Sequence, residues 1–216
     1  MMKCGKLTLS MDTYKITSIR QAVKNPERVN VFVNGKYNFS LDVTQLFSVK
    51  LKVGQEILVE QLSELQKLSE FGKLYQRTLE WVLVRPRSER EVFDYLNKKI
   101  YEKKLDKNYI IQIIEKLKNK KYLDDLKFAE WYVENRFVKK GVSQKRLKME
   151  LMKKGVSQKI IEQVLANSGR DEKEEILKII MKKRAKYDDE RLIQYLCRQG
   201  FSFELVRNLV LDSGRD

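Results

Sequence analysis

The chain has 216 residues, 45 of them Lys or Arg against 30 Asp or Glu, for a formal net charge of +15 without a single histidine. An apolar share of 42% is too high for a disordered chain, and no run approaches the roughly 18 uninterrupted apolar residues of a membrane span. The lack of histidine removes most zinc sites, histidine-based triads and imidazole general bases. The two cysteines, Cys4 and Cys197, read as a tail residue and a buried helix residue, because a reactive thiol usually has a cationic activator beside it. Residues 1–10 lack the apolar core of a signal peptide, so the sequence leads us to expect a cytoplasmic protein.

Residues 1–60 read as a small β-module. Ile16 and Ile19, then Val29, Val31 and Val33, then Tyr37, Phe39 and Leu41 alternate with polar or small residues, with Asn34-Gly35 between the last two runs. Asn-Gly between alternating runs is a strong hairpin signal, because the turn needs positive φ. A second turn over residues 52–56 precedes a short strand at Ile57-Leu58-Val59. Residues 61–73 read as a helical linker.

From Leu74 onward the apolar spacing is helical. Only two prolines and nine glycines occur in the chain, which suits long uninterrupted elements. Pro86 stops one helix and Ser88-Glu89-Arg90-Glu91 reads as a capping box opening the next. Asp124 or Asp125 suits the start of the helix that begins near Leu126.

The chain also repeats itself. Ser143, Leu147, Leu151, Gly155, Val156, Ser157, Ile161, Val164 and Leu165 match, in one register, Asp188, Leu192, Leu196, Gly200, Phe201, Ser202, Val206, Leu209 and Val210. Apolar positions fall on apolar positions, cap on cap and glycine on glycine. A third copy lies upstream at Ser88, Val92, Leu96, Asp106, Ile110, Ile113 and Ile114, with a longer inter-helix turn over residues 98–105 and no glycine in it. A further apolar helix precedes each copy. The expected architecture is mainly α: tandem three-helix repeats over residues 74–125, 126–170 and 171–216, stacked into an elongated, curved array behind the β-module.

The charge is uneven. Residues 126–170 carry 11 basic and 4 acidic groups, whereas residues 171–216 carry ten of each. Arg85, Arg87 and Arg90 cluster around one helix start. Lys139, Lys140, Lys145, Arg146, Lys148, Lys153 and Lys154 cluster in the second repeat. These ten are the candidate contacts to a polyanion or an acidic protein surface, although Lys153 and Lys154 also close a helix, where cations favour the dipole. Tyr122, Leu123, Phe128, Trp131 and Tyr132 read as packing between repeats rather than as base-stacking residues, because their spacing is helical. No phosphate-binding glycine loop and no dinucleotide fingerprint occur, so the reading is a non-enzyme without metal or cofactor.

Arg85-Pro86-Arg87-Ser88-Glu89-Arg90-Glu91-Val92, Tyr122-Leu123-Asp124-Asp125, Phe128-Ala129, Trp131-Tyr132, Arg136, Lys140-Gly141 and Leu151-Met152-Lys153-Lys154-Gly155-Val156 together resemble the RecX family of bacterial recombination regulators. The resemblance spans residues from about 74 to 216. The amino-terminal β-module resembles the extension that some members carry. The third repeat departs from the pattern by its acidic Asp188-Asp189-Glu190. The resemblance implies a monomeric modulator of the RecA recombinase that lies along the groove of its nucleoprotein filament and dampens ATP hydrolysis and strand exchange, with direct DNA binding in some members. The rival reading from charge alone is a stand-alone DNA- or RNA-binding protein.

Overall fold

The computed structural model describes residues 13–23, 25–136 and 140–213, which leaves Cys4 and Lys139 outside the described residues. Contacts divide the chain into two units, Met1–Thr78 and Leu79–Asp216.

In the first unit, strands β1 (Thr13–Ala22), β2 (Asn25–Val33), β3 (Lys36–Asp42) and β4 (Glu56–Leu58) form one antiparallel sheet in the order β3-β2-β1-β4. The β2–β3 hairpin turns at Asn34 and Gly35, both with positive φ (49° and 79°), as the dipeptide requires. The alternating residues fill the core: Ile16, Val31, Val33, Phe39 and Leu41 are buried together with Leu51, Ile57, Leu62 and Leu65. Each such side chain contributes about 1.5–3 kcal/mol on burial.

The sequence reading passed over one helix here, α1 (Val43–Val49). Asp42 caps it reciprocally: Gln45 N donates to Asp42 Oδ1 at 2.7 Å, and Asp42 N donates to Gln45 Oε1 at 3.0 Å. Helix α2 (Val59–Leu83) then runs without a break through both the stretch read as a linker and the first helix of the first repeat. Ser69 on α2 donates to the Ser40 carbonyl on β3 at 2.6 Å, which pins helix to sheet inside the unit.

The second unit holds the end of α2, then α3 (Glu89–Lys103), α4 (Asn108–Asn119), α5 (Asp125–Asn135), α6 (Gln144–Lys153), α7 (Gln158–Asn167), α8 (Glu172–Lys183), α9 (Asp189–Arg198) and α10 (Phe203–Asp212). They group as three helix triplets. The apolar positions paired by the repeat play the same part in each copy: Leu147 and Leu192, Leu151 and Leu196, Val156 and Phe201, and Ile161 and Val206 are all buried. Among the described residues no helix is long and apolar enough to cross a membrane.

Local chemistry corrects the sequence reading in three places. Helix α3 has 15 residues against ten in α6 and α9, so the extra residues of the first copy lengthen the helix rather than the turn. Lys104, with φ 53°, takes the left-handed position that glycine fills in the other copies. The box at Ser88 is only half made: Ser88 Oγ accepts from Glu91 N at 3.1 Å, but the Glu91 carboxylate is taken by Arg85 and Lys154. Asp124 caps α5, accepting from Leu126 N at 2.9 Å. Asp125 turns away and accepts from Glu89 N, at the start of α3, at 2.8 Å.

Successive triplets dock in the same way. Gly155 and Gly200 have φ of +81° and +95°, and a Cβ on them would stand 2.7 Å from Arg90 Cβ and 2.9 Å from Ser143 Oγ respectively. A Cβ on Gly200 would also lie 3.5 Å from Lys145 Cβ. Arg90 and Lys145 are equivalent residues of successive repeats, so the glycine turn of each later repeat rests on the same place in the repeat before it.

Candidate functional site

The nine candidate cations among the described residues distribute over two crevices and the surface between them. The first crevice, of about 500 Å³, lies where repeat 1 meets repeat 2. Arg85 forks onto Glu91 at 3.1 and 3.2 Å, and its guanidinium lies 5.1 Å from the centre of the Trp131 ring. Lys154 Nζ reaches the same carboxylate at 2.6 Å. Burial alone would raise the Glu91 carboxyl, but the hydrogen bonds from Arg85 and Lys154 outweigh it and hold the group below the usual carboxylate range.

The wall of this crevice is a second charged network. Arg136 bonds both oxygens of Glu150, at 2.7 and 3.0 Å. Tyr132 Oη donates to Glu150 Oε2 at 2.7 Å and Arg146 Nε to Glu150 Oε1 at 3.2 Å. Arg136 holds the Glu150 carboxyl down at about 2, with Tyr132 and Arg146 adding to it against the effect of burial. Burial and the Glu150 carboxylate push the Tyr132 hydroxyl up to about 12.

The second crevice, of about 470 Å³, lies where repeat 2 meets repeat 3. Lys140, Gly141 and Arg146 face Ile179, Lys182, Lys183, Tyr195 and Gln199 across it. Arg146 donates to Gln199 Oε1. Lys183 Nζ lies 5.4 and 5.1 Å from the ring centres of Tyr187 and Tyr195.

Of the remaining candidates, Arg87 lies flat on Trp81, 3.9 Å from the ring centre, and Trp81 in turn stacks on Tyr95 at 4.5 Å. Its Nε is buried without a hydrogen-bond partner among the described residues, and burial, followed by the neighbouring Arg85, lowers the guanidinium below its ordinary value. Arg90 pairs with Asp94 at 3.2 Å and Lys148 with Glu162 at 3.4 Å, both on exposed surface. Lys140, Lys145 and Lys153 are exposed. Lys139 lies outside the described residues.

The structure therefore brings Arg85 and Lys154 together on one carboxylate, places Arg146 between the two junctions and Lys140 at the second, lays Arg87 on Trp81, and leaves Arg90, Lys145, Lys148 and Lys153 on the surface. Sequence reasoning missed Lys182, Lys183, Tyr195 and Gln199. The repeat register held a usable signal, since Gln199 is the residue equivalent to Lys154. The aromatic set packs as expected in part: Leu123 and Phe128 are buried, Trp131 and Tyr132 are half-buried crevice walls, and Tyr122 is exposed. The acidic triplet of the third repeat is spent on local chemistry. Asp188 caps α9 by accepting from Arg191 N at 2.8 Å, and Asp189 pairs with Arg184 at 3.1 Å.

The sequence and fold have clear relatives. Residues 14–58 match the model of the regulatory protein RecX N-terminal domain, and residues 124–165 match that of the RecX second three-helix domain. The regulatory protein RecX of Bacillus pumilus is 36% identical over 199 residues, covering 88% of this chain and 74% of that protein. That of Bacillus subtilis is 34% identical over 199 residues with the same coverage. Among solved structures, a crystal structure of regulatory protein RecX superposes with a TM-score of 0.66 at 24% identity, covering 92% of this chain and 99% of the other. RecX from Lactobacillus salivarius superposes with a TM-score of 0.52 at 26% identity, covering 66% of this chain and 95% of the other. On sequence and fold together, this chain belongs to the RecX family of regulatory proteins.

Proposed function

We propose that this chain binds the nucleoprotein filament of the RecA recombinase and slows its ATP hydrolysis and strand exchange, acting as a monomer in the cytoplasm to regulate DNA recombination and repair. It does so without catalysing a reaction of its own. The observation that carries the reading is the serial docking of the triplets in a chain of this family. Gly155 on Arg90 and Gly200 on Lys145 set successive triplets down in one relation. A filament presents one surface at regular intervals, and a repeat protein offers its faces at regular intervals too. Individually weak contacts then act together through effective concentration.

The exposed Lys140, Lys145 and Lys153, with the other candidate cations, are the residues we assign to acidic recombinase surface or to the bound DNA backbone. Co-sedimentation with assembled RecA filaments tests the proposal. The chain pellets with the filaments and lowers their ATPase rate; failure of both removes the reading.

The same exposed lysines favour one rival, a protein that acts on bare nucleic acid. That reading requires tight binding to free DNA or RNA that weakens steeply with salt, as counterion release dictates, and no preference for the filament.

A further inference from the structure

In the second unit, the end of α2 and the segment after it face the turn between α4 and α5 across a crevice of about 330 Å³. Its apolar lining is left uncovered: Leu83 is 61% exposed, Val84 79% and Tyr122 43%. Large apolar side chains gathered in water around one concave surface mark a place where another surface sits. The rim of the crevice is basic. Lys121 and Lys127 are exposed, and neither ammonium has a hydrogen bond or ion pair among the described residues. Arg87, flat on Trp81, likewise makes no hydrogen bond or ion pair among them. The acidic side chain of the lining, Asp124, is spent on the backbone amides of Leu126 and Lys127.

We propose that this crevice docks an acidic peptide segment of a partner protein that carries one leucine- or phenylalanine-sized anchor. The anchor covers Leu83, Val84 and Tyr122, and carboxylates on either side of it meet Lys121, Lys127 and Arg87. Apolar burial at the centre supplies the affinity, and the charged rim sets the choice of partner and its direction of approach. A phosphate backbone would meet the same cations but leave the apolar lining in water. Leu83, Val84, Lys121 and Lys127 lie outside the cations assigned to the filament, so the inference does not rest on that reading.

Both walls are set before anything binds. On one side Lys121 takes φ of 59°, its N–H donates to the Lys118 carbonyl at 2.9 Å, and Tyr122 N donates to the Leu117 carbonyl at 2.9 Å, which closes α4 and aims the turn. On the other, Arg85 donates to the Pro86 carbonyl at 2.7 Å and forks onto Glu91 at 3.1 and 3.2 Å, which ties down the segment after α2. Trp81 fixes the plane of the Arg87 guanidinium from below. Little backbone freedom is lost when a peptide enters such a crevice.

The experiment is fluorescence anisotropy of short labelled peptides with the full chain, without recombinase. The probes are peptides of alternating Asp and Glu with a central Leu, Phe or Ala, and a peptide of Ser and Gln with a central Phe. The Leu or the Phe acidic peptide binds at least tenfold tighter than the Ala peptide and the uncharged one. The pair Leu83→Ser/Val84→Ser and the pair Lys121→Gln/Lys127→Gln each weaken that binding at least tenfold; all four side chains are exposed, so both variants keep the far-ultraviolet circular dichroism of the parent chain. The control pair Lys159→Gln/Lys173→Gln removes the same charge from exposed surface elsewhere in the unit and changes binding less than threefold. No binding of either anchored acidic peptide, or binding that the Ala peptide or either crevice pair leaves within tenfold, overturns the site. A control pair that weakens binding as much as the crevice pairs, or oligothymidylate that displaces the peptide at lower concentration than the peptide itself, overturns it too. These outcomes are the same whether or not the chain binds filaments.

Discussion

Val142 donates its backbone N–H to Glu175 Oε2 at 2.8 Å, across 33 residues and into the next repeat. Glu175 is 2% exposed, and its carboxylate is also held by Lys178 at 2.8 Å and by Arg170 at 3.7 Å. Asp125 accepts from Glu89 N at the first junction, and Glu172 accepts from Gln144 N, at the equivalent amide of the second, at 3.1 Å. The first amides of a helix have no partner within it. In this protein the first helix of each later triplet supplies a carboxylate to the second helix of the triplet before it. Neighbouring repeats therefore cap one another.

Removing the Glu175 carboxylate leaves the buried Val142 amide without its acceptor and takes the carboxylate from Lys178 and Arg170. We expect Glu175→Ala to lower unfolding free energy by about 2–4 kcal/mol, measured by urea denaturation. Glu175→Gln keeps the acceptor for Val142 and loses less. A change below about 1 kcal/mol for Glu175→Ala would show that the junction does not need this bond.

Asp125 makes the corresponding contact at the first junction. Burial raises its carboxyl above the ordinary value and the charge of Glu89 adds to that, while the bond from Glu89 N opposes it. A carboxyl raised in the folded state favours folding more as pH falls through its value. Ionising Asp125 therefore costs the folded state more than the unfolded one. Asp125→Asn keeps an acceptor and drops the charge, so at pH 7 its stability stays within about 0.5 kcal/mol of the parent chain or rises. Asp125→Ala loses about 1 kcal/mol. Thermal melts of the two variants make the comparison, and equal losses would contradict it.

Gly155 and Gly169 both have positive φ, but only Gly155 has a neighbour in the way. Gly169→Ala carries the left-handed penalty alone, about 1–2 kcal/mol. Gly155→Ala adds the encounter with Arg90 Cβ and costs at least about 1 kcal/mol more. Urea midpoints of the two variants that coincide would show that the glycine turn does not rest on repeat 1.

The Glu150 cluster shapes both ends of the pH profile. The Glu150 carboxyl is depressed to about 2 from an ordinary 4.5. Its contribution to stability is full above the ordinary value and disappears as pH falls toward 2. The Tyr132 hydroxyl is raised to about 12 from 10, so its contribution is full below pH 10 and disappears as pH rises toward 12. We expect Glu150→Gln to flatten the acid limb and Tyr132→Phe to flatten the alkaline limb, read from urea denaturation across pH. Unchanged limbs would mean that the cluster does not couple to folding.

Much of the fold was legible because it rests on local rules. Asn34-Gly35 dictates its turn, and the caps at Ser143, Ser157, Asp188 and Ser202 each accept from the amide three residues on. Helix α1 could have been read from Asp42 and Gln45, which form the same kind of box as the one inferred at Ser88. The functional surface was less legible, because the fate of a charge depends on tertiary partners. Glu91 reads as a capping residue until Lys154, 63 residues away, is brought beside it. Arg85 and Lys154 read as free surface cations, yet both are bound to that one carboxylate. The turn after α3 was misread for a different reason: nothing in the sequence marks Lys104 as a residue that accepts φ of 53°.

The most direct test of the account is the ATPase rate of RecA filaments, preassembled on single-stranded DNA, with and without this chain. The account predicts that the chain lowers the rate at less than one copy per recombinase protomer, and that reversing Lys140, Lys145 and Lys153 to Glu removes most of the effect while leaving the melting temperature within a few degrees. A rate unchanged by the chain at any ratio, with no chain in the filament pellet, would contradict it.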